Sequence, residues 1–291
     1  MIALIDHLNI TFICYNMAKK ELKDKEGPES EFTEDKLPFF YHILFNKYNK
    51  IFKTFGKAII CHEGKKSLEW RRNIFPGYKS NRDASKKEDE YLVVKSSFPI
   101  IEEALNFYKT KQIKVDEAEA DDCIYILAKN YAEEGEDVVV VSSDKDLTQT
   151  IGLSENISVY NPILNKVYDY NPLIVEEKSI CGDSSDGIPG LYRVGPKTFE
   201  KMINDKSEWN KQMNKNPENK KLYSAFKKII DLSQFPKEYH DKIIKQEKEL
   251  EWNEFNPGAV EMFYYYNDLN DHLHRWPGTR SDILKALNEN E

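Results

Sequence analysis

Three short runs, Ile2-Ala3-Leu4-Ile5, Ala58-Ile59-Ile60-Cys61 and Val138-Val139-Val140-Val141, are apolar at every position rather than at alternate ones. A strand with two apolar faces must be covered on both, which is the habit of a parallel sheet sandwiched between helices. Longer helical patterns separate the runs, so the chain reads as α/β, a mainly parallel sheet flanked by helices. An acid follows each run closely. Asp6 comes directly after the first, Glu63 two residues after the second, and Asp144 and Asp146 within five residues of the third. In open α/β sheets the carboxyl ends of the strands form the ligand crevice, so acids delivered by separate strands are expected to converge there.

The 291 residues predict about two domains, and 42 Lys and Arg against 50 Asp and Glu give a formal charge of −8. Taken alone, that sign argues against a nucleic-acid partner. Placement matters more than the sum, because a net charge averages over regions of opposite field. Residues 64–87 carry eight Lys and Arg against Glu69 and Asp83, a local charge of +6. Nowhere does an apolar run approach the ~18 residues of a membrane span, so a membrane protein is not expected. The start, Met1-Ile2-Ala3-Leu4-Ile5-Asp6, lacks the basic region of a secretory signal. Cys14, Cys61, Cys123 and Cys181 show no metal-knuckle spacing and read as reduced apolar fillers of a cytoplasmic protein.

Further acids are clustered. Glu119-Ala120-Asp121-Asp122 opens an apolar helix, where carboxylates are tolerated by the helix dipole and where Glu119 and Asp122 share a face. Ser143-Asp144-Lys145-Asp146 reads as a strand-to-helix turn. Asp183 and Asp186 lie in the tight loop Gly182-Asp183-Ser184-Ser185-Asp186-Gly187-Ile188-Pro189-Gly190. Each cluster alone also reads as capping acids or an Asx turn. Together, nine carboxylates (Asp6, Glu63, Glu119, Asp121, Asp122, Asp144, Asp146, Asp183, Asp186) are candidates for one crevice, and so many like charges need cations. Hard oxygen donors with no matching His or Cys set favour Mg²⁺ or Mn²⁺. Two such ions ~4 Å apart are the standard clamp for attack of water on a phosphodiester.

Candidate grips on nucleic acid accompany the acids. Tyr78-Lys79-Ser80-Asn81-Arg82 combines a stacking ring with two cations, and also reads as a solvated basic face. In Gly190-Leu191-Tyr192-Arg193-Val194-Gly195-Pro196-Lys197-Thr198, a Gly-bounded turn leads into a helix whose N-terminus can seat a phosphate. After Ser97 and Pro99 a helix is expected through Ile101 and Leu105. Helices are also expected over 223–232 and 239–250, with Phe263-Tyr264-Tyr265-Tyr266 as packing residues. The Asn- and Lys-rich stretch 205–221 reads as a solvated connection, and His272 and His274 as surface side chains rather than ligands. No nucleophile-elbow, Walker or dinucleotide motif is present.

The ordered series Ile5-Asp6, Tyr78-Lys79-Ser80-Asn81-Arg82, Glu119-Ala120-Asp121-Asp122, Ser142-Ser143-Asp144-Lys145-Asp146 and Gly182 to Gly190 resembles the 5′-nuclease (flap endonuclease) superfamily. It is most similar to bacteriophage members, including the phage ribonuclease H branch, where Glu69-Trp70-Arg71-Arg72 also has a counterpart. The resemblance covers roughly residues 1–200. It implies a PIN-like nuclease domain over 1–175, with a helical arch at about 79–115. A helical DNA-binding region would follow over 176–291, carrying a helix-three-turn-helix at about 179–205 that holds K⁺. By the same resemblance Asp6, Glu119, Asp121, Asp144 and Asp146 would lie at a first metal ion, and Asp122, Asp183 and Asp186 in the shell of a second. Lys79 and Arg82 would contact the scissile phosphate and Tyr78 would stack near the entering nucleotide. Arg71, Arg72, Lys86, Lys87, Gly190, Arg193, Gly195, Lys197 and Thr198 are the further expected DNA contacts.

The implied activity is 5′-3′ exonuclease, flap endonuclease and RNA primer removal in replication. The implied partners are branched or nicked DNA with a free 5′ end or flap, RNA–DNA hybrid and a single-strand DNA-binding protein, the enzyme itself being a cytoplasmic monomer (host cytoplasm if phage-encoded). Two departures stand out: Glu63 replaces the usual Asp, and Arg193 stands where many relatives place a glycine, which predicts a slightly altered turn. A PIN-like single-strand ribonuclease and a non-catalytic DNA-structure binding module remain alternatives at this point.

Overall fold

The computed structural model of the chain describes residues 1–82 and 89–290, the side chain of Glu90 excepted. Six strands form one sheet in the order β3-β2-β1-β4-β5-β6: β1 Ile2–Asp6, β2 Ala58–Cys61, β3 Thr110–Ile113, β4 Val138–Val141, β5 Ile157–Asn161 and β6 Lys166–Val167. Pairing is parallel from β3 through β5, and only β6 runs antiparallel at the edge. From β1 the chain builds outward first through β2 and β3, then on the other side through β4 and β5. The topological switch therefore lies between β1 and β4, where such sheets open a crevice.

The doubly apolar runs behave as their composition requires. Successive side chains of a strand point to opposite faces, and Ala3, Ile5, Ala58 and Ile60 enter one core while Ile2, Leu4, Ile59 and Cys61 enter the other. Helix His7–Glu26 covers the first face with Ile10, Cys14, Ala18 and Leu22 at helical spacing, beside helix Leu37–Phe55. The second face is covered by helix Ala120–Glu133 through Cys123, Ile124 and Leu127, and by Ile243 of helix Lys237–Glu249. All four cysteines are free, three of them buried.

Some elements differ from the sequence expectation. β3, Thr-Lys-Gln-Ile, has no apolar run, because its Lys111 is buried by an ion pair with Glu247 at 2.7 Å. It belongs to the sheet, and helix Phe98–Leu105 before it packs into the core, so residues 98–113 of the arch expected over 79–115 are part of the sheet and its cover instead. Residues 205–221 are not a loop: helix Lys206–Lys215 and the start of helix Asn219–Ile230 bury Met213 against Ile180, Phe199 and Met202. Tyr264 is fully buried, but Tyr265 and Tyr266 are exposed rather than packed. His272 is buried too, its Nε2 3.0 Å from the carbonyl of His42.

Packing does not follow a single cut at residue 175. Residues 180–213 form a small core of their own, whereas Val260, Tyr264, Trp276, Ile283 and Leu287 return to the first core of the sheet. A buried polar network fastens that return: Asn49 Nδ2 donates to Tyr264 Oη at 2.8 Å, and Tyr108 Oη donates to Asn49 Oδ1 at 2.9 Å. Among the described residues no helix is long and apolar enough to cross a membrane.

Candidate metal and nucleic-acid site

The crevice at the switch point collects its acids from five segments. Asp6 ends β1 and caps the next helix, with Oδ1 accepting from Asn9 N at 3.0 Å and Oδ2 from Ser142 Oγ at 3.0 Å. Asp144 is held in an Asx turn, its Oδ1 accepting from Asp146 N at 2.9 Å. Glu119 and Asp122 form a reciprocal capping box at the start of helix Ala120–Glu133, which places Asp121 between them in the first turn. Glu63 follows β2, half-buried. Asp183 Oδ1 accepts from Ser185 N at 2.9 Å within the loop, and backbone bonds between Asp183 and Ile188 close that loop as a bridge.

This loop requires its glycines. Gly190 has φ +73°, and a Cβ there would sit 2.5 Å from the Cys181 carbonyl carbon, so any side chain would drive the loop off the end of helix Ile174–Cys181. Arg193 adopts φ +55°, so the turn keeps the left-handed conformation a glycine supplies freely. Lys79 is likewise left-handed at φ +52°. Its strain, of order 1–2 kcal/mol, is met by Lys79 N donating to the Asp186 carbonyl at 2.8 Å. Asn81 Nδ2 donates to the Ser184 carbonyl at 2.9 Å and Arg82 to Asp186 Oδ1 at 2.8 Å, so the basic segment is docked along the acidic loop.

Charge divides the nine carboxylates into three states. Glu119 and Asp122 are buried against Arg71, whose guanidinium donates to Glu119 Oε2 at 2.7 Å and to both oxygens of Asp122 at 2.8 and 2.6 Å. Lys79 Nζ contacts Glu119 Oε1, and Tyr78 Oη donates to Glu119 Oε2 at 3.0 Å. Burial pushes Glu119 up, but Lys79 and Arg71 outweigh it and hold its carboxyl at about 2. Asp146, Asp183 and Asp186 form the second state. One oxygen from each lies within 4.8 Å of the others, among the described residues the one acid cluster tight enough for a common ion. Lys178 pairs with Asp146 and Asp183, and Arg82 with Asp186. Burial and Asp144 raise Asp146 to about 6, whereas for Asp183 the Lys178 and Ser185 bonds overcome burial and lower it.

Asp6, Glu63, Asp121 and Asp144 are the third state, and among the described residues none of them is ion-paired. Burial, with Asp144 adding to it, pushes Asp6 to about 6. Burial and Glu119 push Glu63 to about 8. Asp121 is raised well above the carboxylate range by burial and then by Asp6 and Asp144. These mutual effects place the acids in one electrostatic field, at the end of the sheet where the strand pattern predicts them.

Several sequence expectations are corrected here. Arg71 is only 2% exposed and spent on Glu119, Asp122 and the Ile229 carbonyl, so it is an internal brace and not a DNA contact. Asp122 has both oxygens on Arg71 and no exposure, which removes it from the expected ligand shell. Tyr78 is 4% exposed with its hydroxyl on Glu119, so its ring is not free to stack on a nucleotide. Arg72 donates to the Tyr78 and Lys79 carbonyls at 3.0 and 3.3 Å, supporting the left-handed turn. Lys86 and Lys87 lie outside the described residues. Gly195 caps helix Pro196–Asn204, with Arg193 and Lys197 exposed and Thr198 half-buried beside that helix start. Lys178 was not singled out from the sequence, since one lysine in a helical pattern carries no motif. A cavity of about 570 Å³ lies well apart, between helices Leu37–Phe55 and Asn270–Glu289, and contributes none of these acids.

The fold and site define an α/β protein with an acid-filled crevice at its topological switch. Residues 1–179 match the family described as 5′-3′ exonuclease, N-terminal resolvase-like domain, and the chain belongs to that family. It is 34% identical over 181 residues to a 5′-3′ exonuclease of Buchnera aphidicola (subsp. Schizaphis graminum), covering 57% of this chain and 59% of the relative. It is 32% identical over 146 residues to DNA polymerase I of Bacillus subtilis, covering 46% of this chain and 16% of that much longer protein. The chain thus spans under two thirds of either relative.

Among solved structures it is similar to the T5 5′-exonuclease with zinc bound, at TM-score 0.58 and 18% identity over 85% of this chain and 98% of that one. It is also similar to a bacteriophage T5 flap endonuclease in a pseudo-enzyme-product complex with DNA and metal ions, at TM-score 0.57 and 16% identity over 99% of each chain. These two likenesses establish a common fold.

Proposed function

We propose that the chain is a divalent-metal-dependent, structure-specific 5′-nuclease that hydrolyses phosphodiesters at 5′ flaps and free 5′ ends during replication, RNA primers included. The observation that carries this reading is the quartet Asp6, Glu63, Asp121 and Asp144, which forms no ion pair among the described residues and in which burial raises Asp6, Glu63 and Asp121. An all-carboxylate donor set fits a hard ion such as Mg²⁺ or Mn²⁺. The quartet, too widely spaced as it stands, would close around one ion, and Asp146, Asp183 and Asp186, already within 4.8 Å of one another, would hold a second. Bound there, the ions would lower the pKa of an attacking water and stabilise the leaving oxygen.

The chain's own residues supply the rest. Lys79 and Arg82 sit on carboxylates at the crevice and would exchange them for the oxygens of the scissile phosphate. Exposed Arg193 and Lys197, with the amides at the start of helix Pro196–Asn204, would hold duplex backbone without reading sequence, and a K⁺ could order that turn. Partners would be branched or nicked DNA, RNA–DNA hybrid and a single-strand DNA-binding protein.

The test is cleavage of a 5′-flap duplex against the same strand free, in Mg²⁺ and in EDTA. Flap-selective, Mg²⁺-dependent cutting is expected. Equal cutting of the free strand would favour a single-strand ribonuclease-like enzyme, and metal-independent binding without cutting would favour a DNA-structure binding module.

A further inference from the structure

Two of the three carboxylates that could share a second ion are already bridged by one cation of the chain itself. Lys178, in the last turn of helix Ile174–Cys181, pairs with Asp146 and lies 2.7 Å from Asp183 Oδ2. Its side chain remains 24% exposed, whereas those of Asp146 and Asp183 are 16% and 9% exposed. The lysine is therefore the most exposed member of the trio it forms with those two acids. An ammonium and a divalent ion cannot both take these two oxygens, since like charges in a partly buried site repel strongly. No such cation stands on Asp6, Glu63, Asp121 or Asp144 among the described residues.

We propose that Lys178 is a built-in counter-cation that keeps the second ion position shut in the DNA-free chain, and that a DNA phosphate opens it by drawing the ammonium away from Asp146 and Asp183. This rests on the metal-dependent reading above and makes ion binding sequential. The quartet fills first from solution. The second ion follows only when a phosphate offers Lys178 another anionic partner.

The experiment uses the full chain, Mn²⁺ as probe and isothermal titration without DNA. Wild type is expected to bind one ion well and a second weakly. Lys178→Met, which keeps the aliphatic length and removes the charge, should tighten the second step about tenfold and leave the first unchanged. Lys227→Met removes a lysine paired with Glu176 of the same helix, outside the crevice, and should bind like wild type. Thermal melts check folding, and Lys178→Gln replaces the Met variant should that one fail to fold. In EDTA, Lys178→Met should bind the flap duplex more weakly, with a salt slope about one unit shallower.

Two ions bound with equal affinities by wild type and Lys178→Met would make Lys178 an ordinary structural pair and overturn the proposal while sparing the nuclease reading. Failure of both chains to bind any divalent ion would instead defeat the metal-dependent reading itself. An unchanged salt slope would show that phosphate is not what opens the site.

Discussion

The two acid groups of the crevice are built on opposite principles. Asp6, Glu63, Asp121 and Asp144 come from strand ends and a helix start, placed by backbone that the buried sheet dictates, and among the described residues they form no ion pair. Asp146, Asp183 and Asp186 come largely from a loop and are each paired with Lys178 or Arg82. The first group is electrostatically unfinished, whereas the second is partly neutralised by the chain's own cations.

The comparison breaks most sharply at Asp144. Asp144→Asn should retain flap binding while Mg²⁺-dependent cleavage falls by about a thousandfold, the scale of losing transition-state charge stabilisation. A single-turnover rate near that of wild type would remove Asp144 from the first group's role.

Stability offers the next contrast. Arg71→Met leaves Asp122 buried without its partner and Glu119 with Lys79 as its one cation among the described residues, and urea unfolding should show a loss of about 3–5 kcal/mol. Arg82→Met breaks a pair whose arginine is 44% exposed, and the loss should stay below about 1 kcal/mol. Comparable losses would mean that burial does not separate the two cations.

The smallest effect lies in pH. Asp6 and Asp146 at about 6 and Glu63 at about 8 all lie above their ordinary values of 3.8, 3.8 and 4.5. Between those limits the ion-free folded chain holds protons that the unfolded chain has released. Stability from these groups is therefore whole below roughly pH 4 and is lost as pH rises through 6 and then 8. The melting temperature without divalent ions should fall from about pH 5 to about pH 8.5. Mg²⁺ should restore more of it at the alkaline end. Glu63→Gln should flatten the upper part of that fall, whereas Asp183→Asn should not, because Asp183 is lowered rather than raised. A melting temperature that climbs across this range would contradict the burial of Asp6, Glu63 and Asp146.

Where the sequence could be read, one cause was at work. β1, β2 and β4 are legible because apolar continuity has a single structural solution, and the acids at their ends follow from chain direction. β3 is illegible because its Lys111 is covered by Glu247, a partner 136 residues away that no local window contains. Arg71 misleads for a related reason: counting positive charge over 64–87 cannot distinguish a buried guanidinium from one in solvent. Helix Lys206–Lys215 hides among Asn and Lys because Gln212 and Met213 are its only fully buried side chains. Lys178 is invisible until folding sets it beside Asp146, 32 positions earlier in the chain.

The return of helices Pro257–Tyr266 and Asn270–Glu289 onto the first core has a consequence for biosynthesis. Helix Leu37–Phe55 is among the early segments made, yet its packing partners Tyr264, Trp276 and Ile283 are translated more than 200 residues later. A growing chain can assemble the parallel strands and gather the acids while one side of helix Leu37–Phe55 is still uncovered, and contacts of such long sequence separation form slowly. The emerging polypeptide thus carries every acid of the crevice before its first core is complete, and that core is closed by the segment that leaves the ribosome last among those described.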